Sequence, residues 1–348
     1  MSFSNAHNAH NAHNAHNAHN AHGAETSASE GTLAQALLVS REALAPMGEV
    51  AVTASRAQRQ GPAARLRRIE PHFAVGALLS ELSEGLQIEA GADAFKIDTP
   101  HGQLIRITPP DEDDMKHEVQ LVAGYAELRA ERMAEILSQT DQILPFYTTI
   151  LPLAPRWTPN VMLLASVTLE MATAVVQRAK LGFTLPRPHV LSPDIQPIIA
   201  CPGHSSFPSG HAAQSFAVAG VLAALSGGGS PVLGNQLDRM AARIAVNRTV
   251  AGLHYPSDSA AGAALGLAVA GWLVARATGD AAPGIGFDGH RWGEDAPGGS
   301  KDFHLPAFIR AWEGQTCLTH AVAGELAKAE LVAAVWESAQ QEWSDRWG

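Results

Sequence analysis

Three short segments in the middle of the chain combine cationic and imidazole side chains at spacings that suit anion chemistry. They cover residues 180–188, 207–211 and 248–258. A lysine and two arginines can neutralise a multiply charged tetrahedral oxyanion, and each guanidinium can bind two oxygens at once. The sequence therefore predicts one oxyanion pocket, built from Lys180, Arg187, Ser209, Gly210, His211, Arg248, His254 and Asp258.

The second segment falls where a loop is predicted to become a helix. Backbone N–H groups at a helix start lack partners within the helix and point outward, which makes them donors for an anion. Gly210 lets the backbone approach a ligand closely, and His211 then stands at the rim of the pocket.

The third segment places Asp258 four residues after His254. The carboxylate can accept a hydrogen bond from one ring nitrogen, which leaves the other nitrogen free to attack or to bind a central atom. We expect His211 to face this ring and to donate or remove a proton. Taken alone, Lys180 has a second interpretation, because a lysine near a helix C-terminus can simply stabilise the helix dipole.

Together the segments resemble a known three-part signature. Lys180-x6-Arg187-Pro188, Pro208-Ser209-Gly210-His211 and Arg248-x5-His254-x3-Asp258 are similar to the motifs of the type 2 phosphatidic acid phosphatase and vanadium-dependent haloperoxidase superfamily. One departure is Asn247, where many members have serine. The resemblance implies a helical bundle with the pocket among the helices. It also implies that vanadate or phosphate binds there, with His254 as vanadium ligand or phosphate nucleophile and His211 as acid–base residue.

The superfamily resemblance leaves two activities open. A haloperoxidase holds vanadate on His254 and oxidises halide with hydrogen peroxide to hypohalous acid, which attacks small organic acceptors. An acid phosphatase works through a phosphohistidine. His204, seven residues before His211, resembles a second histidine of vanadium bromoperoxidases, and Gln177 stands where chloroperoxidases carry tryptophan. We therefore favour oxidation of bromide or iodide, with His204 as a candidate halide-site residue. The alternatives are an acid phosphatase for the whole chain and a hydrogen bond within its own loop for His204. A noncatalytic phosphate-binding module would not need two opposed histidines.

The elements that must position these residues are predicted to be helical. The fold class is all-α, with one small β-hairpin near 94–108, where apolar residues alternate on both sides of a turn at Pro100–Gln103. The predicted helices cover 32–48, 70–86, Asp111 to about Ser138, Thr158 to about Lys180, 209–225, 235–252 and 258–277, and helical patterning returns over 303–346. The acidic run Asp111–Asp114 is interpreted as a solvated helix start, and a metal site is the weaker interpretation.

Composition bounds the class of protein. The net charge of −10 disfavours nucleic acid as a partner. The apolar run Ala260–Val274 is shorter than the ~18–20 residues that span a bilayer, so we predict a buried core helix and no membrane association. We expect a soluble protein, cytoplasmic or periplasmic, with Cys201 and Cys317 reduced. A charged fraction of only 17% and the apolar residues of 303–346 favour a homo-oligomer.

The predicted domain organisation follows from the N-terminal repeat and from the predicted helices and hairpin. Six Asn-Ala-His triplets run from Asn5 to His22 and resemble an affinity tag, so residues 1–31 are predicted to be tag and linker. The alternative is a natural metal-binding tract. Residues 32–348 are predicted to be a single catalytic domain. Within it, 32–150 form N-terminal helices and the hairpin, 151–279 the core with the oxyanion site, and 280–348 the C-terminal helices.

Overall fold

The computed structural model describes residues 34–40, 61–227 and 235–347, together with Thr32. Residues Pro62–Gly348 form one compact unit and residues 7–61 belong to another. Of the second unit, helix α1 (residues 34–40) is described, and its side chains are exposed. It lies inside the helix predicted over 32–48, whose other residues, like the Asn-Ala-His repeat, mostly lie outside the described part of the chain. The predicted domain boundary at residue 32 stays a prediction.

The larger unit is mainly helical. Its helices are α2 (Pro62–Leu66), α3 (Pro71–Ser83), α4 (Glu112–Gly124), α5 (Arg129–Asp141), α6 (Leu144–Tyr147), α7 (Pro159–Phe183), α8 (Pro188–Leu191), α9 (Gly210–Leu225), α10 (Gln236–Val250), α11 (Pro256–Thr278), α12 (Leu305–Gly314) and α13 (Glu330–Trp347). Short 3-10 turns cover Tyr125–Leu128 and Pro297–Gly299. The helices predicted from 70–86 and from the three segments between 209 and 277 are confirmed to within a few residues.

Helices α9 and α11 form the centre of the core because their backbones approach unusually closely. A Cβ atom on Gly262 would lie 2.5 Å from the carbonyl oxygen of Ser209, and one on Gly266 would lie 2.4 Å from that of Ala213. Any larger residue would push the helices apart. This contact fixes the start of α9 against the first turns of α11, which is where the second and third signature segments meet.

The sheet is larger than predicted. It has five strands in the order β1 (Gln87–Ala90), β2 (Phe95–Thr99), β3 (Gly102–Thr108), β4 (Ala281–Asp288) and β5 (Leu318–Glu325). The antiparallel β2–β3 hairpin confirms the prediction for 94–108. The expectation of one small hairpin was wrong, because β4 pairs in parallel with β3 and antiparallel with β5.

Two glycines explain why sequence patterning missed strand β4. A Cβ atom on Gly284 would lie 2.7 Å from the oxygen of Gln103, and one on Gly286 would lie 2.4 Å from Thr319 Oγ1. These glycines make β4 resemble a loop in the sequence, yet they are what allows its neighbours to come close. The helical pattern expected throughout 303–346 is likewise interrupted by β5.

The helix predicted from Asp111 to Ser138 is two helices joined by a 3-10 turn. Its start is confirmed: Asp111 and Asp114 form a capping box at the beginning of α4. Asp114, however, is buried rather than solvated, and it binds His290 Nδ1 at 2.8 Å and Lys301 Nζ at 2.9 Å. The predicted start of α7 at Thr158-Pro159 is also confirmed, but the Thr158 hydroxyl bonds to Ala154 and does not cap the helix.

Within the described residues, two helical segments are long and apolar enough to cross a membrane, by length and composition alone. They are Pro159–Leu191 and Pro256–Thr278, and 56% and 78% of their most apolar windows are buried inside the protein. The apolar run Ala260–Val274 was predicted to be too short to span a bilayer. The helix that contains it, α11, is longer and extends over 23 residues. A buried core helix of a soluble protein passes the same test, and the absence of membrane association stays a prediction.

Candidate active site

The three signature segments converge at one end of the core, where several helices begin or end. Lys180 lies in the last turn of α7 and Arg248 in the last turn of α10. Arg187 precedes α8, His211 is in the first turn of α9, and Asp258 is in the first turn of α11. The helix α5, outside the signature, brings its C-terminal turn to the same place.

His254 and Asp258 form the pair that their spacing predicts. Asp258 Oδ2 lies 2.8 Å from His254 Nδ1 and also accepts bonds from the Ser206 hydroxyl and the Tyr255 N–H. Because an ionised carboxylate can only accept, the ring proton is on Nδ1 and Nε2 carries the lone pair. Burial, followed by the charges of Arg187 and Lys180, holds the pKa of His254 well below its ordinary value. The imidazole is therefore uncharged at neutral pH, and its Nε2 lone pair is chemically able to attack or to bind a central atom.

The Asp258 carboxyl is buried, and burial raises its pKa to about 6. The Ser206 hydroxyl and the nearby Lys180 charge oppose that rise. Asp258 is therefore ionised at neutral pH and can hold the proton on His254 Nδ1.

Lys180 is buried and donates from Nζ to the carbonyl oxygens of Ser205 at 2.6 Å and Ser206 at 2.8 Å. The ammonium thus bonds to the loop of the second segment, which the helix-dipole interpretation does not require. Burial and the charge of Arg187 lower the pKa of Lys180 well below its ordinary value. An ammonium has three N–H donors, so one is left for a ligand.

Arg187 crosses from the first segment to the third. Its Nη1 donates to the Leu253 carbonyl at 2.9 Å and lies 3.4 Å from His254 Nε2. Its Nε donates to the Pro202 carbonyl at 3.2 Å. The guanidinium therefore stands beside the free ring nitrogen of His254, where a bound anion would have to be.

Arg248 is a buried cation whose N–H groups are only partly hydrogen-bonded within the described residues. It is 1% exposed, and only Nη2 is bonded, to Gln139 Oε1 at 2.8 Å and to the Ile136 carbonyl at 3.3 Å. Its Nε and Nη1 have no partner among the described residues. Burial lowers its pKa to about 9, so it is still charged at neutral pH. A buried cation with free N–H groups is costly unless an anion compensates it, so these atoms fit an oxyanion.

His211 faces the pocket from the start of α9. Its Nε2 lies 3.0 Å from the carbonyl oxygen of Gln139, so Nε2 carries the proton and Nδ1 can accept one. Burial, followed by the charge of Arg248, lowers its pKa to about 3. Without an anion His211 is therefore neutral, and an incoming negative charge will raise its pKa.

The start of α9 was predicted to offer free backbone N–H groups, and the structure differs at Ser209. The Ser209 N–H already donates to the Asp258 carbonyl at 2.8 Å, and the Ser209 hydroxyl caps α9 at Ala212. A Cβ atom on Gly210 would meet only Val176, at 3.9 Å. Packing within the protein therefore does not demand glycine at 210, which fits a position kept open for a ligand.

His204 lies at the exposed rim of the pocket. Its Nδ1 is 3.3 Å from Arg187 Nη2 and 3.2 Å from the Ser205 carbonyl oxygen. The contact to Ser205 is the hydrogen bond within the loop that was the alternative for His204, and the halide-site role stays a prediction. Cys201, on the same loop, and Cys317 are free thiols, as predicted.

Sequence reasoning missed three residues that hold the site. Ser206 bonds to Asp258, Gln139 bonds to both Arg248 and His211, and Glu118 Oε2 accepts from the Ser257 N–H at 2.8 Å at the start of α11. Burial raises the pKa of Glu118 to about 8. Gln139 and Glu118 lie on helices 40 or more residues before the signature, so no local spacing could have connected them to it.

Comparison with known families agrees with this geometry. Residues 160–278 match the model of the PAP2 superfamily. These residues form a PAP2 superfamily domain. The PAP2 domain includes all three signature segments, from α7 to α11, and excludes α4 and α5. No curated protein matches the chain. The PAP2 domain supports a phosphatase-type or haloperoxidase-type enzyme in general.

Proposed function

We propose that this protein is a vanadium-dependent haloperoxidase that oxidises bromide or iodide with hydrogen peroxide. The observation that carries the oxyanion site is the buried Arg248 guanidinium, whose Nε and Nη1 have no hydrogen-bond partner among the described residues. The His254 ring adds an unprotonated Nε2. Lys180 and Arg187 add two more buried cations. This inventory of donors fits vanadate and phosphate equally, because both are tetrahedral oxyanions.

In the haloperoxidase, His254 Nε2 would hold vanadate, and Lys180, Arg187 and Arg248 would donate hydrogen bonds to it. Bound vanadate would supply Lewis-acid activation of hydrogen peroxide. Asp258 keeps the proton on His254 Nδ1, so Nε2 stays available. His211 Nδ1 can accept a proton from a reactant, since its Nε2–H is engaged by the Gln139 carbonyl.

The position of His204 favours the haloperoxidase. It contacts Arg187 at the exposed side of the pocket, where a halide could arrive from solvent. In the resemblance to bromoperoxidases, this is the place of a second histidine. The neighbouring His189 contacts Cys201 instead and offers a matched control.

The second candidate is an acid phosphatase, favoured by the same His254–Asp258 pair. His254 Nε2 would form a bond to phosphorus as the bond to the leaving oxygen breaks, with a proton passing from His211 to that oxygen. His211 would then take a proton from the water that cleaves the phosphorus–nitrogen bond. The incoming phosphate dianion would raise the pKa of His211 and so provide the proton that the first step needs.

One preparation separates the two. The protein is stripped of bound anion and divided, and one half is loaded with orthovanadate. We expect vanadate-dependent bromination of monochlorodimedone with peroxide and bromide, and little hydrolysis of p-nitrophenyl phosphate by the stripped half. Brisk phosphate-ester hydrolysis without vanadate-dependent bromination would establish the phosphatase instead. His204→Ala should raise the KM for bromide, whereas His189→Ala should leave it unchanged.

A further inference from the structure

Gln139 lies in the last turn of α5, outside the PAP2 domain, and is 1% exposed. A buried glutamine is stabilised only when both ends of its amide are bonded. Its surroundings therefore show what its side chain is for.

The orientation of the Gln139 amide is fixed by its neighbours. Oε1 lies 2.8 Å from Arg248 Nη2 and 3.1 Å from Asn247 Nδ2. Both neighbours are donors, so the atom facing them must be the carbonyl oxygen and cannot be the amide nitrogen. The Asn247 amide is itself oriented by Glu135, which accepts from Asn247 Nδ2 at 3.1 Å.

The nitrogen end of the amide is then a donor without an acceptor. Gln139 Nε2 is buried and has no hydrogen-bond partner among the described residues. It shares a carbon atom with the oxygen that bonds to Arg248, whose own Nε and Nη1 are also without partners. Three unused N–H-bearing nitrogens are thus gathered at one place, and only an acceptor-rich ligand would satisfy them together.

The backbone of the same residue serves the other side of the pocket. The Gln139 carbonyl accepts from His211 Nε2 at 3.0 Å. One residue therefore contacts the acid–base histidine through its main chain and the anion-binding arginine through its side chain.

We propose that Gln139 is a further oxyanion ligand, whose amide nitrogen donates to the bound anion while its carbonyl oxygens hold Arg248 and His211. This rests on the proposed function, because it requires an oxyanion in the pocket. It also explains Asn247 at the position where many members of the superfamily have serine: Asn247 fixes the amide of Gln139 in the donating orientation.

The test measures binding of inorganic phosphate to the stripped full-length protein by calorimetry. The variants are Gln139→Met, Gln139→Glu and Gln142→Met. Gln142 is the matched control, because it follows the same helix end but is exposed. We expect Gln139→Met to weaken phosphate binding roughly ten-fold or more, as expected for a lost hydrogen bond to a charged group. Gln139→Glu should weaken it further, and Gln142→Met should leave it unchanged.

A second readout separates a ligand from a merely structural residue. The His211 contact is made by the Gln139 main chain, which a side-chain substitution leaves in place. Gln139→Met should therefore lower affinity by a similar factor at each pH, without moving the pH at which binding declines. If this variant does not fold, Gln139→Glu carries the test, because it keeps an acceptor for Arg248 and Asn247.

One result would overturn the assignment of Gln139 alone, and a different result would overturn the oxyanion site itself. If the wild type binds phosphate and both Gln139 variants bind it within two-fold, the assignment of Gln139 is wrong and the pocket stands. If the wild type binds neither phosphate nor orthovanadate, the oxyanion site itself is wrong, and the assignment of Gln139 fails with it.

Discussion

The proposed anion pocket and a second charged cluster near the start of α4 differ in how fully their polar groups are hydrogen-bonded. We call the second one the acidic cluster, and it consists of Asp111, Asp114, His290 and Lys301. Asp114 is bonded at both oxygens, by Lys301 at 2.9 Å and by His290 at 2.8 Å, and it shares a capping box with Asp111. In the anion pocket, by contrast, Arg248 Nε, Arg248 Nη1 and Gln139 Nε2 have no partner within the described chain.

This difference distinguishes a structural cluster from a binding site. The atoms of Asp111, Asp114 and His290 are close enough to suit a metal ion, but Lys301 already supplies the positive charge there. The acidic cluster therefore contributes to stability. In the proposed function, the unpartnered cations of the pocket lower the stability of the free protein, and a bound oxyanion would complete their hydrogen bonds.

The largest expected effect compares one histidine from each region. His254→Ala removes the ring nitrogen that we propose to bond to the central atom, so we expect turnover to fall by roughly 10³-fold or more. His290→Ala should leave turnover near the wild-type value, because its ring is bonded to the acidic cluster. Steady-state rates of both variants, in whichever assay the wild type supports, check this. Near-wild-type turnover by His254→Ala would remove the basis for the site.

A smaller effect is expected where the two core helices touch. Gly262→Ala would place a Cβ atom 2.5 Å from the Ser209 carbonyl, so α9 and α11 must separate. We expect a loss of about 1–3 kcal/mol in unfolding free energy and weaker phosphate binding. Gly76→Ala in α3 meets nothing within 4 Å and should instead stabilise by about 0.5–1 kcal/mol. Denaturant unfolding and calorimetry measure both quantities. Equal behaviour of the two variants would contradict the role given to this contact.

Removing one cation from each region should change the unfolding free energy in different directions. Lys301→Met leaves the Asp114 carboxylate without its cationic partner and should cost about 1–3 kcal/mol, with phosphate affinity unchanged. Arg248→Met removes a buried cation with free donors, so the stability without anion should be unchanged or higher. The same variant should lose the thermal stabilisation that phosphate gives the wild type. If Arg248→Met is the more destabilised of the two variants without anion, the contrast between unpartnered cations in the pocket and paired charges in the acidic cluster is wrong.

The smallest effect concerns pH. Burial raises the pKa of Glu118 from 4.5 to about 8, so between these values the folded state binds more protons than the unfolded chain. The unfolding free energy therefore falls as pH rises through this window. Glu118→Gln cannot ionise, and above pH 8 it should be more stable than the wild type by at least about 1 kcal/mol, with little difference near pH 4.5. Denaturant unfolding at several pH values tests this, and parallel profiles for both proteins would refute it.

The sequence by itself predicted which cationic and histidine side chains come together, and it predicted the helices that carry them. Lys180, Arg187, His211, Arg248 and His254 were predicted from spacing, since each segment lies at a helix end that local patterning reveals. The hydrogen bond from His254 to Asp258 followed from their separation of four residues. These features are local, and short-range sequence encodes them.

Only the tertiary structure decided the rest. Strand β4 pairs with β3 across more than 170 residues, and its glycines make it look like a loop until its neighbours are known. Gln139 and Glu118 reach the pocket from helices remote in sequence, and neither has a local pattern that marks it. Contacts of this kind depend on which surfaces the folded chain brings together, and that is decided by packing of the whole core rather than by any segment.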